Sequence, residues 1–166
     1  TQAEEVLSLK EKIAEHWGEL DIVVVNVGSG ESVFDAIPDK DNFEKVFSLN
    51  FDSAVYTARE FYPLLKSTKG NMIFISSIAG LEVLGAPVDY AVAKTAMISF
   101  AKNLARKVAV DGVRVNCIAP GNINFKGGSW GEDWHKTVAS KTIILRELLK
   151  NEDPKVHYSH LLSSLH

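Results

Sequence analysis

Tyr90 and Lys94, a tyrosine and a lysine four residues apart, lie in the alanine-rich stretch "DYAVAKTAM". In an α-helix, side chains at this spacing share one face and lie about one turn apart. A tyrosine with its ordinary pKa of about 10 is a poor acid or base at neutral pH, and a nearby ammonium lowers that pKa by stabilising the phenolate. The pair predicts a proton-transfer site. Taken alone, however, the spacing more often belongs to an ordinary pair at a solvated surface, and the rest of the chain must decide between the two interpretations.

Helix and strand patterns alternate around this pair. Apolar residues at three- and four-residue steps predict helices over residues 1–17, about 41–67 and 88–112, which end at Gly18, Gly70 and Gly112. Runs rich in β-branched residues predict strands within residues 21–27, 71–80 and 113–121. The first run is continuous, which is typical of a parallel strand covered on both faces. The alternation predicts an α/β fold with a doubly wound parallel sheet in three α/β/α layers.

The predicted strands end in polar residues and glycines. Ligands of open parallel sheets bind beyond the carboxyl ends of the strands. The groups that we expect to meet there are Asn26 and Gly28, Ser76 and Ser77, and Pro120 and Gly121, with Tyr90 and Lys94 at the start of the helix that follows the second strand. Of the two serines, we expect Ser76 to be the one that makes hydrogen bonds to backbone groups in the loop.

These features, in this order, resemble the short-chain dehydrogenase/reductase family, whose domain is Rossmann-like. The motifs that carry the resemblance are Y-x-x-x-K at Tyr90 to Lys94, Ser77 thirteen residues earlier, Asn50 in "SLNFDSA", the pair Pro120 and Gly121, and "VNVG" at residues 25–28 in place of the family's N-N-A-G. The similarity runs from about Thr1 to the low 120s. Val25 and Phe125 depart from the family pattern, and we expect the second departure to weaken one contact with nicotinamide.

The resemblance implies an NAD(P)-dependent oxidoreductase that interconverts a secondary alcohol and a ketone, such as a 3-oxoacyl reductase-like or sugar-related member. Tyr90 would be the acid/base, and Lys94 would tune Tyr90 and hold the nicotinamide ribose. Ser77 would bind the substrate carbonyl, and Asn50 would anchor a water that passes protons to Lys94. The expected contacts of NAD or NADP are Asn26, Gly28, Tyr90, Lys94, Pro120, Gly121 and Ile123.

The family's glycine-rich phosphate-binding turn, T-G-x-x-x-G-x-G, does not occur in this chain. We therefore expect residues 1–166 to form a single, incomplete NAD(P)-binding domain. By the resemblance it would begin before the helix that precedes the fourth of seven strands, and it would end before the last strand. Without the preceding strands, the strand predicted within residues 21–27 would be an unpaired, apolar edge strand of the sheet.

The segment after Pro120 is loop-like, and a helix is predicted near residues 138–150. Trp130, Trp134 and His135 would lie in a loop that covers the substrate, where they could stack on a ring or pack the loop itself. His157 and His160 lack carboxylate or cysteine partners nearby, so no metal site is expected.

The composition, with 46% hydrophobic residues, 23% charged residues and a net charge of -3, is that of a globular protein without an expected nucleic-acid or membrane partner. The single cysteine, Cys117, is compatible with the cytoplasm. The first half of the helix that contains Tyr90 is apolar nearly all round, which predicts a homodimer or homotetramer through the two long helices.

Two rival interpretations come from other classes. The first is a truncated or degenerate homologue that has no activity and acts, if at all, by binding a partner. The second is a methyltransferase or another nucleotide-binding α/β protein, but such a protein would not need Ser77 and Tyr90 at this spacing.

Overall fold

A computed structural model describes residues 3–121 of the chain. Four α-helices and three strands follow one another in these residues: α1 (Ala3–Trp17), β1 (Ile22–Val25), α2 (Lys40–Phe47), α3 (Ser53–Thr68), β2 (Asn71–Ile75), α4 (Val88–Val108) and β3 (Arg114–Ile118). A π-helical turn joins α2 to α3, and 3₁₀ turns follow Ser77 and Val108.

The three strands form one parallel sheet in the order β1-β2-β3. Val25 pairs with Phe74, which in turn pairs with Cys117. The strands are connected through helices, as parallel strands require. The predicted Rossmann-like parallel sheet is therefore confirmed.

The helices bury one face of this sheet. Val23, Val25, Met72 and Phe74 share a core with side chains of α3 and α4, and α1 packs against the same core. On the opposite face of β1, Ile22 and Val24 remain 57% and 56% exposed. Cover on both faces was predicted for this strand, and residues 3–121 supply a helix layer on one face only.

The predicted helix over residues 41–67 is interrupted. Asp39 caps the start of α2 by accepting a hydrogen bond from the backbone N–H of Asn42 at 2.8 Å. The chain then makes the π-helical turn Ser48–Asp52 before it continues as α3. The apolar residues follow one another at three- and four-residue steps through this turn, as they do in a regular α-helix, so their spacing does not reveal it.

Two of the three helix-ending glycines behave as predicted. Gly18 and Gly112 adopt φ values of 75° and 77°, in the region that favours glycine. After α3, however, Lys69 takes the left-handed conformation, with φ 54°. Gly70 is needed for another reason, because a Cβ on it would lie 2.5 Å from the carbonyl oxygen of Asp21 and 2.7 Å from Leu65 Cδ2.

No helix within residues 3–121 is long and apolar enough to cross a membrane.

We predict that Gly70→Ala destabilises the protein. The added Cβ meets a backbone oxygen and a buried leucine, so the chain must shift where α3 leads into β2. We expect a loss of about 1–3 kcal/mol in the free energy of unfolding, measured by urea denaturation. The control is Gly30→Ala, where a Cβ meets nothing within 4 Å. Equal stability of the two variants would contradict the close approach at Gly70.

Candidate active site

The carboxyl ends of the three strands meet at one edge of the sheet, as predicted. The segment after β2 is tied to the segment after β3 by two backbone hydrogen bonds. The N–H of Ser76 donates to the carbonyl of Ile118 at 2.7 Å, and the N–H of Ile78 donates to that of Pro120 at 2.9 Å. Gly121 lies at the same place, because a Cβ on it would be 4.0 Å from Ile78 Cγ2.

Gly28, Asn50 and Lys94 meet beyond the end of β1. A Cβ on Gly28 would lie 2.5 Å from Asn50 Oδ1 and 3.0 Å from Lys94 Nζ. The lack of a side chain at Gly28 therefore lets the amide and the ammonium come against the backbone. From the sequence, we predicted that Gly28 lets a cofactor approach the backbone. In the structure, the space that a Cβ of Gly28 would need is occupied by the side chains of Asn50 and Lys94, two of the predicted catalytic residues.

The π-helical turn places Asn50 in this cluster. Asn50 is fully buried, and its Nδ2 donates to the carbonyls of Val46 and Ser29, each at 3.0 Å. Its Oδ1 accepts from the N–H of Ser29 at 3.2 Å. Both amide protons are therefore used, and the side chain retains only acceptor capacity. The proton-relay role of Asn50 stays a prediction.

Lys94 is 4% exposed, and within residues 3–121 its ammonium makes one hydrogen bond, to the carbonyl of Ile75 at 3.3 Å. Burial lowers the pKa of Lys94 from its usual 10.5, and the nearby Cys117 offsets this in part. Burial in turn raises the pKa of the Cys117 thiol. Since an ammonium has three N–H donors, Lys94 has donors left for a bound molecule.

Tyr90 is the third residue of α4, and its ring is half-buried. Lys94 Nζ lies 5.7 Å from the centre of the ring, so the two side chains face each other as their spacing predicted. Helix α4 begins after Pro87, whose backbone is extended. Gly85, two residues before Pro87, has a positive φ.

Ser77 is held beside α4 through its neighbours. Ser76 Oγ donates to the carbonyl of Lys94 at 2.8 Å, so the hydroxyl of Ser76 contacts a backbone group of α4 rather than one of its own loop. Gly80 lies so close to α4 that a Cβ would be 2.8 Å from the carbonyl carbon of Lys94. Thr95 Oγ1 donates to the carbonyl of Gly80 at 2.9 Å. The loop that carries Ser77 is thus fixed to the turn of α4 that carries Lys94.

The Ser77 hydroxyl itself accepts a hydrogen bond from the N–H of Ala79 at 3.2 Å, as the cap of a 3₁₀ turn. This bond uses a lone pair of the oxygen and leaves its proton available to donate to a substrate oxygen.

The structure also brings together Asp89 and Ser32, two residues that no motif had indicated. Ser32 Oγ donates to Asp89 Oδ2 at 2.5 Å, and Asp89 is fully buried. An acidic residue in the first turn of a helix is common and is ordinarily exposed, so no feature of the sequence indicated this contact.

Several predicted residues lie outside the described residues. These are Ile123, Phe125, Trp130, Trp134, His135, His157 and His160, together with the helix predicted near 138–150. In the part of the chain that the structure does describe, no group of three or more His, Cys, Asp or Glu residues could hold a metal ion.

The sequence and the fold agree with those of known proteins. Residues 1–129 match the model of the family described as short chain dehydrogenase. The chain belongs to this family.

Individual relatives share the sequence at moderate identity. A tropinone reductase homolog of Arabidopsis thaliana is 41% identical over 139 residues, which are 81% of this chain and 45% of that protein. The 3-oxoacyl-[acyl-carrier-protein] reductase MabA of Mycobacterium tuberculosis is 32% identical over 113 residues, 68% of this chain and 46% of that protein. The chain thus spans slightly less than half the length of these two relatives.

A solved structure shares the fold. The short chain dehydrogenase of Leptospira borgpetersenii serovar Hardjo-bovis, crystallised with bound NAD+, superimposes with a TM-score of 0.75 at 25% sequence identity. The match covers 85% of this chain and 57% of that chain.

Because the Lys94 ammonium is buried, we expect it to lower the free energy of unfolding by an amount that depends on pH. Because the folded-state pKa of Lys94 lies below 10.5, the unfolded chain binds more protons at pH values between the two pKa values, and stability rises with pH across that window. Below the folded-state pKa the full cost of burial is present. Each tenfold change in the acid dissociation constant corresponds to about 1.4 kcal/mol.

We therefore predict that Lys94→Met is more stable than the unchanged protein at neutral pH, and that the difference shrinks as the pH rises towards 10.5. Urea denaturation over a series of pH values measures this difference in the free energy of unfolding. Lys102→Met, at an exposed position of the same helix, is the matched control. A stability difference for Lys94→Met that does not vary with pH would show that the ammonium carries no burial cost.

Proposed function

We propose that this chain supplies the catalytic part of an NAD(P)-dependent oxidoreductase that interconverts a secondary alcohol and a ketone. The observation that supports it most is the buried Lys94 ammonium, which faces the Tyr90 ring and has donors left for a bound molecule. A desolvated ammonium beside a tyrosine costs stability, and such groups are concentrated at functional sites.

The residues fit a nicotinamide cofactor. The donors of Lys94 that have no partner within residues 3–121 suit the hydroxyl groups of a ribose, and the backbone at Asn26, Gly28, Pro120 and Gly121 lies along the same edge of the sheet. The cofactor, when bound, supplies or accepts the hydride. NAD+ is bound in the Leptospira relative, and we extend cofactor use to this chain on that ground together with the Lys94 geometry.

Each catalytic residue then has a role that its surroundings support. Tyr90 gives a proton to the carbonyl oxygen in reduction and takes it back in oxidation. Lys94 holds a positive charge 5.7 Å from the centre of the ring that carries this proton. Ser77 donates a hydrogen bond to the substrate oxygen and orients the carbonyl. Asn50 holds the segment at Ser29, which keeps Gly28 against the ammonium.

The surface near the site favours an apolar substrate. The segment between Ser77 and Tyr90 exposes Leu81, Val83 and Leu84. A ketone on an apolar carbon chain, as in a 3-oxoacyl compound, matches such side chains better than a sugar does. The relationship to a 3-oxoacyl-[acyl-carrier-protein] reductase points in the same direction.

The alternative is a homologue that binds a partner without catalysing a reaction. The compact cluster of Gly28, Asn50 and Lys94 argues against it, because a buried ammonium that served no reaction would lower stability without a return.

We predict that Tyr90→Phe removes nearly all NAD(P)H-dependent reduction of 3-oxoacyl and other ketone substrates by the complete protein. We expect a loss of about 100-fold or more, because the proton donor is gone, with cofactor binding retained. Tyr56→Phe on α3 is the matched control, since it removes the same hydroxyl elsewhere. Turnover and cofactor fluorescence are the measurements. Near-normal turnover in Tyr90→Phe would refute the assignment, and cofactor binding without any turnover in the unchanged protein would favour the non-catalytic alternative.

We also propose that the complete protein is cytoplasmic and is a homodimer or homotetramer through α3 and α4. On α4, Val88 and Val92 are 45% and 42% exposed, next to Thr95 and Ser99 on the same outward stripe. Small and β-branched side chains allow two helices to approach closely.

We predict that Val92→Asp lowers the oligomeric state in analytical ultracentrifugation, because it places a charge in the helix contact. Val110→Asp is the matched control, since Val110 is 88% exposed and lies beyond the end of α4. An unchanged oligomer in Val92→Asp would exclude this face of α4 as the interface.

A further inference from the structure

Asp89, the residue before Tyr90, is a buried carboxylate that the proposed reaction does not use. It is fully buried, and both of its oxygens are engaged. Its Oδ2 accepts from the hydroxyl of Ser32 at 2.5 Å, and its Oδ1 accepts from the N–H of Tyr90 at 2.8 Å. A carboxylate is tolerated in the interior only when such partners replace water.

Helix capping does not explain this burial. Asp39 caps α2 from an exposed position by accepting from the N–H of Asn42 at 2.8 Å. The acidic residues in the first turns of α1 and α2 are exposed as well. What distinguishes Asp89 is its bond to Ser32, which lies 57 residues earlier in the chain.

The bond to Ser32 is one of two attachments of the segment after β1. At the other, the backbone N–H and carbonyl of Ser29 both pair with the Asn50 amide. Between them, the N–H of Glu31 donates to Ser29 Oγ at 3.1 Å. Gly28 precedes these attachments directly and touches Asn50 and Lys94. The position of Gly28 relative to α4 therefore depends on how residues 29–32 are held.

We propose that Ser32 and Asp89 form a positioning pair. Their hydrogen bond holds the segment after β1 against the first turn of α4, and it thereby fixes Tyr90 and Lys94 relative to the backbone at Gly28. Asp89 acts on Tyr90 through the Tyr90 backbone N–H, and Ser32 acts on Gly28 through the segment between them. The consequence for the reaction rests on the proposed oxidoreductase function, whereas the attachment itself does not.

The test is Ser32→Ala in the complete protein, with turnover measured well below the melting temperature. Misplacement of reacting groups lowers rates steeply, so we expect kcat/KM to fall roughly 10- to 100-fold. Ser32→Thr keeps a hydroxyl and is expected to restore turnover to within about threefold. Ser67→Ala is the matched control, because the Ser67 hydroxyl bonds only to the neighbouring carbonyl of Leu64 at an exposed site. Activity in Ser32→Ala equal to that of the Ser67→Ala control would overturn the proposal.

Hydrogen–deuterium exchange separates this proposal from the proposed function. Loss of the bond is expected to accelerate exchange of the amides of Ser29, Glu31 and Tyr90 in Ser32→Ala but not in Ser67→Ala. If the unchanged protein shows no turnover, the proposed function fails, and faster exchange at these amides would still support the attachment. If these amides exchange at the same rate in Ser32→Ala as in the unchanged protein, the proposed attachment is overturned.

If Ser32→Ala does not fold, Asp89→Ala takes its place as the test, and Asp89→Asn, in which an amide replaces the carboxylate, is its conservative control. The amide keeps an acceptor for the Tyr90 N–H and a donor for Ser32, so the fold and the exchange rates are expected to hold, with turnover within about tenfold of the unchanged protein. Accelerated exchange at Ser29 and Glu31 in Asp89→Ala but not in Asp89→Asn would support the pair, and equal exchange in both variants would overturn it.

Discussion

The burial of the Lys94 ammonium is the constraint around which the described part of the chain is arranged. A charge with so little access to water needs nearby dipoles, and within the described residues it has a carbonyl from the end of β2 and the face of the Tyr90 ring, with the amide of the π-helical turn packed against the same glycine. Each of these groups comes from a different element. The parallel sheet is what makes their convergence possible, because it brings the carboxyl end of every strand to the edge where α4 begins.

Close packing against the backbone at two glycines supports this arrangement. Gly28 has no side chain, so Asn50 and Lys94 can both lie against its backbone, and Gly80 likewise lets the Ser77 loop lie on α4. Ser76 then joins that loop to the carbonyl of Lys94. The side chains proposed to contact a substrate are therefore held in place by other residues, and the precision of the site depends on backbone contacts as much as on the proposed catalytic side chains.

The sequence predicted the parts of the fold that follow from periodicity. The apolar runs located all three strands, and the spacing of Tyr90 and Lys94 placed both side chains on one face of α4. The π-helical turn could not be predicted, since the apolar positions on either side of it continue without a visible break. The end of α3 at Thr68 is within one residue of the predicted end, but the sequence did not indicate that the left-handed conformation falls on Lys69, because a glycine is the usual choice for it. Asp89 looked like an ordinary residue of a helix start, and only its long-range partner explains its burial.

The π-helical turn at Ser48–Asp52 has a consequence for how the site is encoded. A π turn holds one more residue than the corresponding α turn, so its presence is a matter of chain length rather than of residue type. A relative with a single residue deleted here could keep the asparagine and every neighbouring motif, yet a regular helix would rotate that amide by about 100° away from the glycine and the lysine. Insertions and deletions within this helix are thus as informative about a relative's competence as the identities of its catalytic residues, and an alignment scored on motifs alone would overlook them.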